Sequence, residues 1–114
     1  MTTYFISRHP GAIEWAKRHA LPVDCQIAHF EPHMVQPGDT VIGSLPVNLA
    51  AHVCAAGAVY VHLSLELPAH LRGQELSADQ LDALGAQLQT YQISPIDFAP
   101  SNSNFMKEKT PCKN

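Results

Sequence analysis

The chain has 114 residues, 46% of them apolar, and a formal net charge of −3 with its seven histidines neutral. That length supports one hydrophobic core and excludes two. The charge excludes a general binder of duplex DNA or RNA, which relies on a broad basic surface, although a pocket holding a few cations can still be locally positive. No run reaches the roughly 18–20 apolar residues of a membrane span. Strand-like residues begin at Thr3, leaving no room for a signal peptide, so the cytoplasm is the expected location. Cys25, Cys54 and Cys112 are odd in number and lack CxxC spacing, so neither a disulfide framework nor a zinc knuckle is indicated. Cys54, in an apolar helical stretch, is expected as a small core residue.

In chain order, Thr3–Ser7 reads as a short central strand. Pro10–Ala20 follows as a helix whose Ala12, Trp15, Ala16 and His19 form a stripe facing a sheet. Val23–Phe30 reads as the second strand, and Pro37-Gly38-Asp39 as a turn. Thr40–Leu45 is the third strand, and Pro46–Ala56 a second helix closed by Gly57. Ala58–Leu67 is the longest apolar strand candidate. Ser77-Ala78-Asp79-Gln80 is a capping box, after which Leu81, Leu84, Leu88 and Tyr91 mark the buried face of a third helix. A last short strand is placed near Gln92–Phe98. The polar segment 99–114 has no period and is expected to be a disordered tail on a single domain covering 1–98.

This alternation predicts an α/β domain of Rossmann-like type, with a mostly parallel sheet of about five strands between helical layers, in the order 2-1-3-4-5. In that order the first and third strands are neighbours, and ligands bind where the chain reverses direction between them. Two junctions of similar build meet there: Ser7-Arg8-His9-Pro10-Gly11 and Gly43-Ser44-Leu45-Pro46-Val47-Asn48. In each, a strand gives way through small and polar residues to a proline and a helix. Proline suits the first helical turn, and the free N–H groups and dipole of a helix start form a ready anion site.

Ser7, Arg8 and His9 thus read either as a phosphate-binding wall touching a reacting group or as a helix cap beside a surface arginine and an exposed histidine. Gly43 permits close backbone approach, Ser44 can donate to a phosphate and Asn48 can read a base edge or ribose; the alternative is an ordinary tight turn. The absence of Gly-Lys-Ser/Thr and of GxGxxG argues against a nucleoside triphosphatase or a dinucleotide dehydrogenase. His29, Glu31 and His33 resemble metal-ligand spacing, but Pro32 spoils a regular helical face and no HExxH is present. No metal or other cofactor is therefore expected. His62 and Ser64 share one face of the fourth strand, as core polar groups or as residues bordering the crevice. Arg72-Gly73-Gln74-Glu75 is either a lid or a solvated loop. No Ser-His-Asp order or carboxylate pair stands out for hydrolase or glycosidase chemistry.

Four blocks carry a more specific signal: Thr3 to Trp15, Gly38 to Ala50, His62-Leu63-Ser64-Leu65 and Arg72 to Ser77. Over roughly residues 2 to 93 the sequence resembles a small CRISPR-associated ancillary family of the Csx type, which accompanies type III CRISPR systems. The resemblance implies a CARF-like nucleotide-binding fold, a homodimer and action on cyclic oligoadenylate second messengers. It implies a ring nuclease that opens cyclic tetra-adenylate and switches off the antiviral response; capture of the ring without cleavage, as a sensor or sponge, is the alternative for the same pocket. Combined with the reading of the two junctions, this makes Ser7 and Arg8 the expected catalytic residues, with His9, Gly11, Gly43, Ser44, Leu45, Asn48, His62, Ser64 and Arg72 expected around the ligand.

Overall fold

The computed structural model describes residues 1–98; the expected disordered tail, 99–114, lies outside the described residues. The strands are β1 (Thr3–Ile6), β2 (Cys25–Ile27), β3 (Thr40–Gly43), β4 (Val59–Ser64) and β5 (Gln87–Tyr91). The helices are α1 (Pro10–Arg18), α2 (Val47–Ala55) and α3 (Ala78–Ala83), with single 3₁₀ turns at Pro32–Met34 and Ala69–Leu71. One sheet holds all five strands in the order β2-β1-β3-β4-β5. The neighbours from β2 to β4 pair in parallel, and β5 closes the sheet antiparallel to β4. The predicted order 2-1-3-4-5 is the order observed. Among the described residues no helix is long and apolar enough to cross a membrane.

The sheet is covered on both faces because alternate strand residues supply two separate cores. Phe5, Ile42 and Leu63 pack with Ala12, Trp15 and Ala16 of α1 and with Ala78 and Leu81 of α3. Val41 and Tyr60 point the other way and pack with Ala50 and Val53 of α2 and with Val35. Burying a Phe, Val or Leu fully stabilises by about 1.5–3 kcal/mol relative to leaving it exposed. Phe5, Val41, Val53 and Tyr60, the largest fully buried side chains, therefore fasten both helical layers to β1, β3 and β4. Cys54 is half-buried against the second core.

The polar ties lie at the edges. Trp15 Nε1–H donates to Asp82 Oδ1 at 2.8 Å, and His19 Nε2 lies 2.9 Å from the same oxygen. The bond to His19 first, and that from Trp15 second, hold the Asp82 carboxyl below the usual carboxylate range. His19 thus ends the α1 stripe as an exposed clasp to α3, its ring tilted against that of Trp15 at a centroid distance of 4.6 Å, instead of facing the sheet. Asp39, the buried carboxylate in the turn before β3, accepts the N–H groups of Thr2 and Gln36 at 2.9 Å each.

Four expectations are corrected. The third helix ends at Ala83, since Gly85 takes φ +76° and Ala86 N–H turns back to Leu81 O at 2.9 Å. Leu88 and Tyr91 therefore belong to β5, which lies earlier than the strand expected near Gln92–Phe98; that segment has no regular structure. The antiparallel ladder with β4 decides this, since it gives Gln87–Tyr91 partners along its length. At the opposite edge, β2 is confined to Cys25–Ile27, the stretch in register with β1, instead of running from Val23 to Phe30. Likewise β4 stops at Ser64, and Leu65 onward becomes a strap leading over the sheet end to α3.

Candidate functional site

At their carboxyl ends β1 and β3 lie side by side, with Ile6 in register with Gly43. From there the chain leaves in opposite directions, into α1 on one face and α2 on the other. Gly43 eases this approach: a Cβ there would lie a tight 3.0 Å from Ile6 O and 3.2 Å from Ile6 Cβ. The reversal opens a crevice of about 660 Å³, within the size range of small-molecule sites.

The first wall is a tight turn. Ser7 N–H donates to Ile27 O at 2.9 Å, the Gln26 side-chain amide donates to Ser7 O, and His9 N–H donates to Ser7 Oγ at 3.1 Å. This fixes Ser7 and His9 and leaves Arg8 at the tip, exposed and, among the described residues, without an ion pair. Pro10 is the first helical residue of α1, and His9 at the N-cap makes no side-chain cap bond. The positive end of the α1 dipole therefore lies close in sequence to Arg8.

The second wall hangs on Tyr60. Leu45 N–H donates to its hydroxyl at 2.9 Å, which also lies 2.7 Å from His62 Nδ1 and 3.2 Å from Gly43 O. The single phenol proton serves one of these last two partners at a time. Burial pushes the phenol above its ordinary value, against the opposing effect of the Leu45 N–H, so Tyr60 stays neutral. Ser44 Oγ donates to Leu63 O at 2.7 Å. Its proton is thereby committed, and its lone pairs remain for a donor in the crevice. Pro46 is the N-cap of α2, one position earlier in its helix than Pro10 in α1.

Tyr60→Phe keeps the ring and removes these bonds, leaving Leu45 N–H without its acceptor. The expected loss is about 1–3 kcal/mol of stability, the desolvation cost of an orphaned polar group. Urea denaturation measures it, and an unchanged midpoint would contradict the strut.

The roof is the strap after β4, which contributes Leu65, Leu67, Gln74 and Leu76 to the lining; Leu63 and Leu49 complete an apolar floor. Glu75 on this strap reaches back so that its Oε2 lies 3.3 Å from His9 Nδ1. The strap closes over Gly11, where an added Cβ would overlap the Leu76 carbonyl oxygen.

A family model described as "Putative CRISPR-associated protein (Cas_VVA1548)" matches residues 4–94. The chain belongs to this CRISPR-associated family. The matched span contains both junctions, the strap and all of α3 and β5. No curated protein and no solved structure matches the chain.

Within this CRISPR-associated protein, Ser7, Arg8, His9, Gly43, Ser44 and Leu45 come together in the crevice lining. Gly11, Asn48, His62, Ser64 and Arg72 lie outside that lining. Gly11 instead seats the strap, and His62 braces Tyr60 from behind. Asn48 is exposed in the first turn of α2, Ser64 ends β4, and Arg72 is exposed at the end of the Ala69–Leu71 turn. His29, weighed as a metal ligand, lines the crevice, and among the described residues no three His, Cys, Asp or Glu side chains group as a metal centre. Sequence reasoning missed Tyr60 and did not single out Glu75. The signal for Tyr60 was its place two residues before His62, on the same strand face.

Proposed function

We propose that this CRISPR-associated protein is a metal-independent ring nuclease, which as a cytoplasmic homodimer opens cyclic tetra-adenylate to linear products with 2′,3′-cyclic phosphate ends. The observation that carries this reading is the pair of uncapped helix starts flanking one crevice, with Arg8 free at the tip of the first. A helix start with an arginine beside it favours a phosphate. The leucines of the floor and strap offer apolar surface to adenine faces.

The chemistry asks little of the protein. The ribose 2′-OH next to each phosphodiester is a built-in nucleophile, and catalysis consists of holding it in line and stabilising charge on the phosphorane. Arg8 would carry that charge, and Ser7 would orient the 2′-OH or a phosphate oxygen. His9, Gly43, Ser44 and Leu45 would hold the nucleotide in the crevice. Asn48, Ser64 and Arg72 are assigned to the part of the ring reaching beyond it, with Gly11 and His62 shaping the walls. A tetranucleotide ring exceeds one crevice of about 660 Å³. A C2 dimer presents the crevice twice and matches the two-fold axis of the ring.

Capture without turnover is the second reading. It is favoured by a lining that is mostly apolar and whose only Arg or Lys, among the described residues, is Arg8. Incubation with cyclic tetra-adenylate in EDTA, with products resolved by chromatography, separates the two. Linear product supports the nuclease, and intact ring that co-elutes with the protein supports capture.

A further inference from the structure

His9 occupies the N-cap of α1 without capping it, so its imidazole has no local structural task. Its partner comes from far away in sequence: Glu75 Oε2 lies 3.3 Å from Nδ1 across a separation of 66 residues. The side chains are 60% and 68% exposed, and an exposed pair of this kind contributes little to folding. Yet the strap that delivers Glu75 is seated against Gly11, which has no room for a Cβ. His9 lines the crevice on the same wall as Ser7 and Arg8. Glu75 engages Nδ1, leaving Nε2 as the ring nitrogen without a protein partner among the described residues.

We propose that His9 is the general base of ring opening and that Glu75 is its positioning residue, an assignment that rests on the ring-nuclease reading. The Glu75 carboxylate accepts Nδ1–H, which fixes the tautomer that keeps Nε2 basic and holds the ring plane. Nε2 takes the proton of the 2′-OH as the 2′-oxygen forms its bond to phosphorus. The P–O5′ bond then breaks, O5′ takes a proton from solvent water, and the imidazolium returns its proton to solvent. No proton or electron is gained or lost overall. The backbone N–H of His9 meanwhile holds Ser7 Oγ, so base and hydroxyl are fixed by one turn.

The test compares steady-state cleavage of cyclic tetra-adenylate by wild type, His9→Ala, Glu75→Ala and Glu75→Gln. Affinity is measured in parallel with a ring lacking its 2′-hydroxyls. His9→Ala is expected to lower kcat by about 10²–10⁴-fold, to weaken binding of the deoxy ring far less than that, and to regain turnover when free imidazole is added. Glu75→Ala lowers kcat with KM unchanged, and Glu75→Gln recovers much of it because its side-chain oxygen still accepts Nδ1–H. Wild-type turnover by His9→Ala, a loss confined to affinity, or no recovery with imidazole would overturn the assignment of His9. A Glu75→Ala effect on KM alone would overturn the positioning role. Intact ring with the wild type would instead overturn the ring-nuclease reading itself.

Discussion

Replacing Arg8 with alanine is expected to lower kcat for ring opening by about 10²–10³-fold, the usual cost of removing one electrostatic stabiliser of a transition state. Binding of the intact ring should fall much less, since the helix termini and the leucine-lined floor remain. The reason for this split is geometric. The turn bonds among Ser7, Ile27 and His9 are made by neighbouring atoms and survive the substitution. Arg8 itself makes no ion pair among the described residues, so its loss leaves no orphaned carboxylate. Arg8→Lys should restore part of kcat, because a lysine supplies the charge without the bidentate fork. Single-turnover kinetics beside a binding titration reads both quantities. A loss wholly in affinity would move the weight to capture without turnover, and wild-type kinetics would remove Arg8 from the reaction.

Gly11→Ala tests the strap. The added methyl would overlap the Leu76 carbonyl oxygen and come within 2.8 Å of its carbonyl carbon and 3.1 Å of Ser77 Cα. These are backbone atoms, so relief requires the strap or the start of α1 to move. Overpacking of this kind costs about 1–3 kcal/mol, or roughly 4–8 °C in Tm per kcal/mol for a domain of this size. A strap that shifts also withdraws Leu76 and Gln74 from the crevice and Glu75 from His9. Turnover should therefore fall along with stability, although the mutated atom lies outside the crevice lining. Calorimetry and the cleavage assay on one preparation measure the pair. Unchanged values in both would mean that the strap does not rest on Gly11.

Much of this architecture was readable because its signals are local. Pro10 and Pro46 mark helix starts, Gly57 at φ +86° closes α2, and the Ser77–Gln80 capping box opens α3. The two junctions could be placed side by side from strand order alone, and Ile6 does stand opposite Gly43. The miss at β5 has a physical cause. Leu81, Leu84, Leu88 and Tyr91 fit a helical period, but Gly85 takes a left-handed turn and the open edge of β4 recruits Gln87–Tyr91 as a partner. Tertiary pairing overrode local spacing. The site was readable only in its backbone-bound parts. Ser7, Arg8, His9, Gly43, Ser44 and Leu45 lie on the junctions and fall into the crevice together. Tyr60 and Glu75 act through contacts from distant strand and strap positions, at separations of 15 to Leu45 and 66 to His9, which no local pattern encodes.

The most direct measurement of the central claim is product analysis with two substrates, cyclic tetra-adenylate and its counterpart lacking every 2′-hydroxyl, each incubated with the wild-type protein in EDTA. Intramolecular attack predicts that the first yields linear products ending in 2′,3′-cyclic phosphate and that the second is bound but stays closed. An intact ribose ring at stoichiometric protein would contradict the claim, and so would equal cleavage of the deoxy ring.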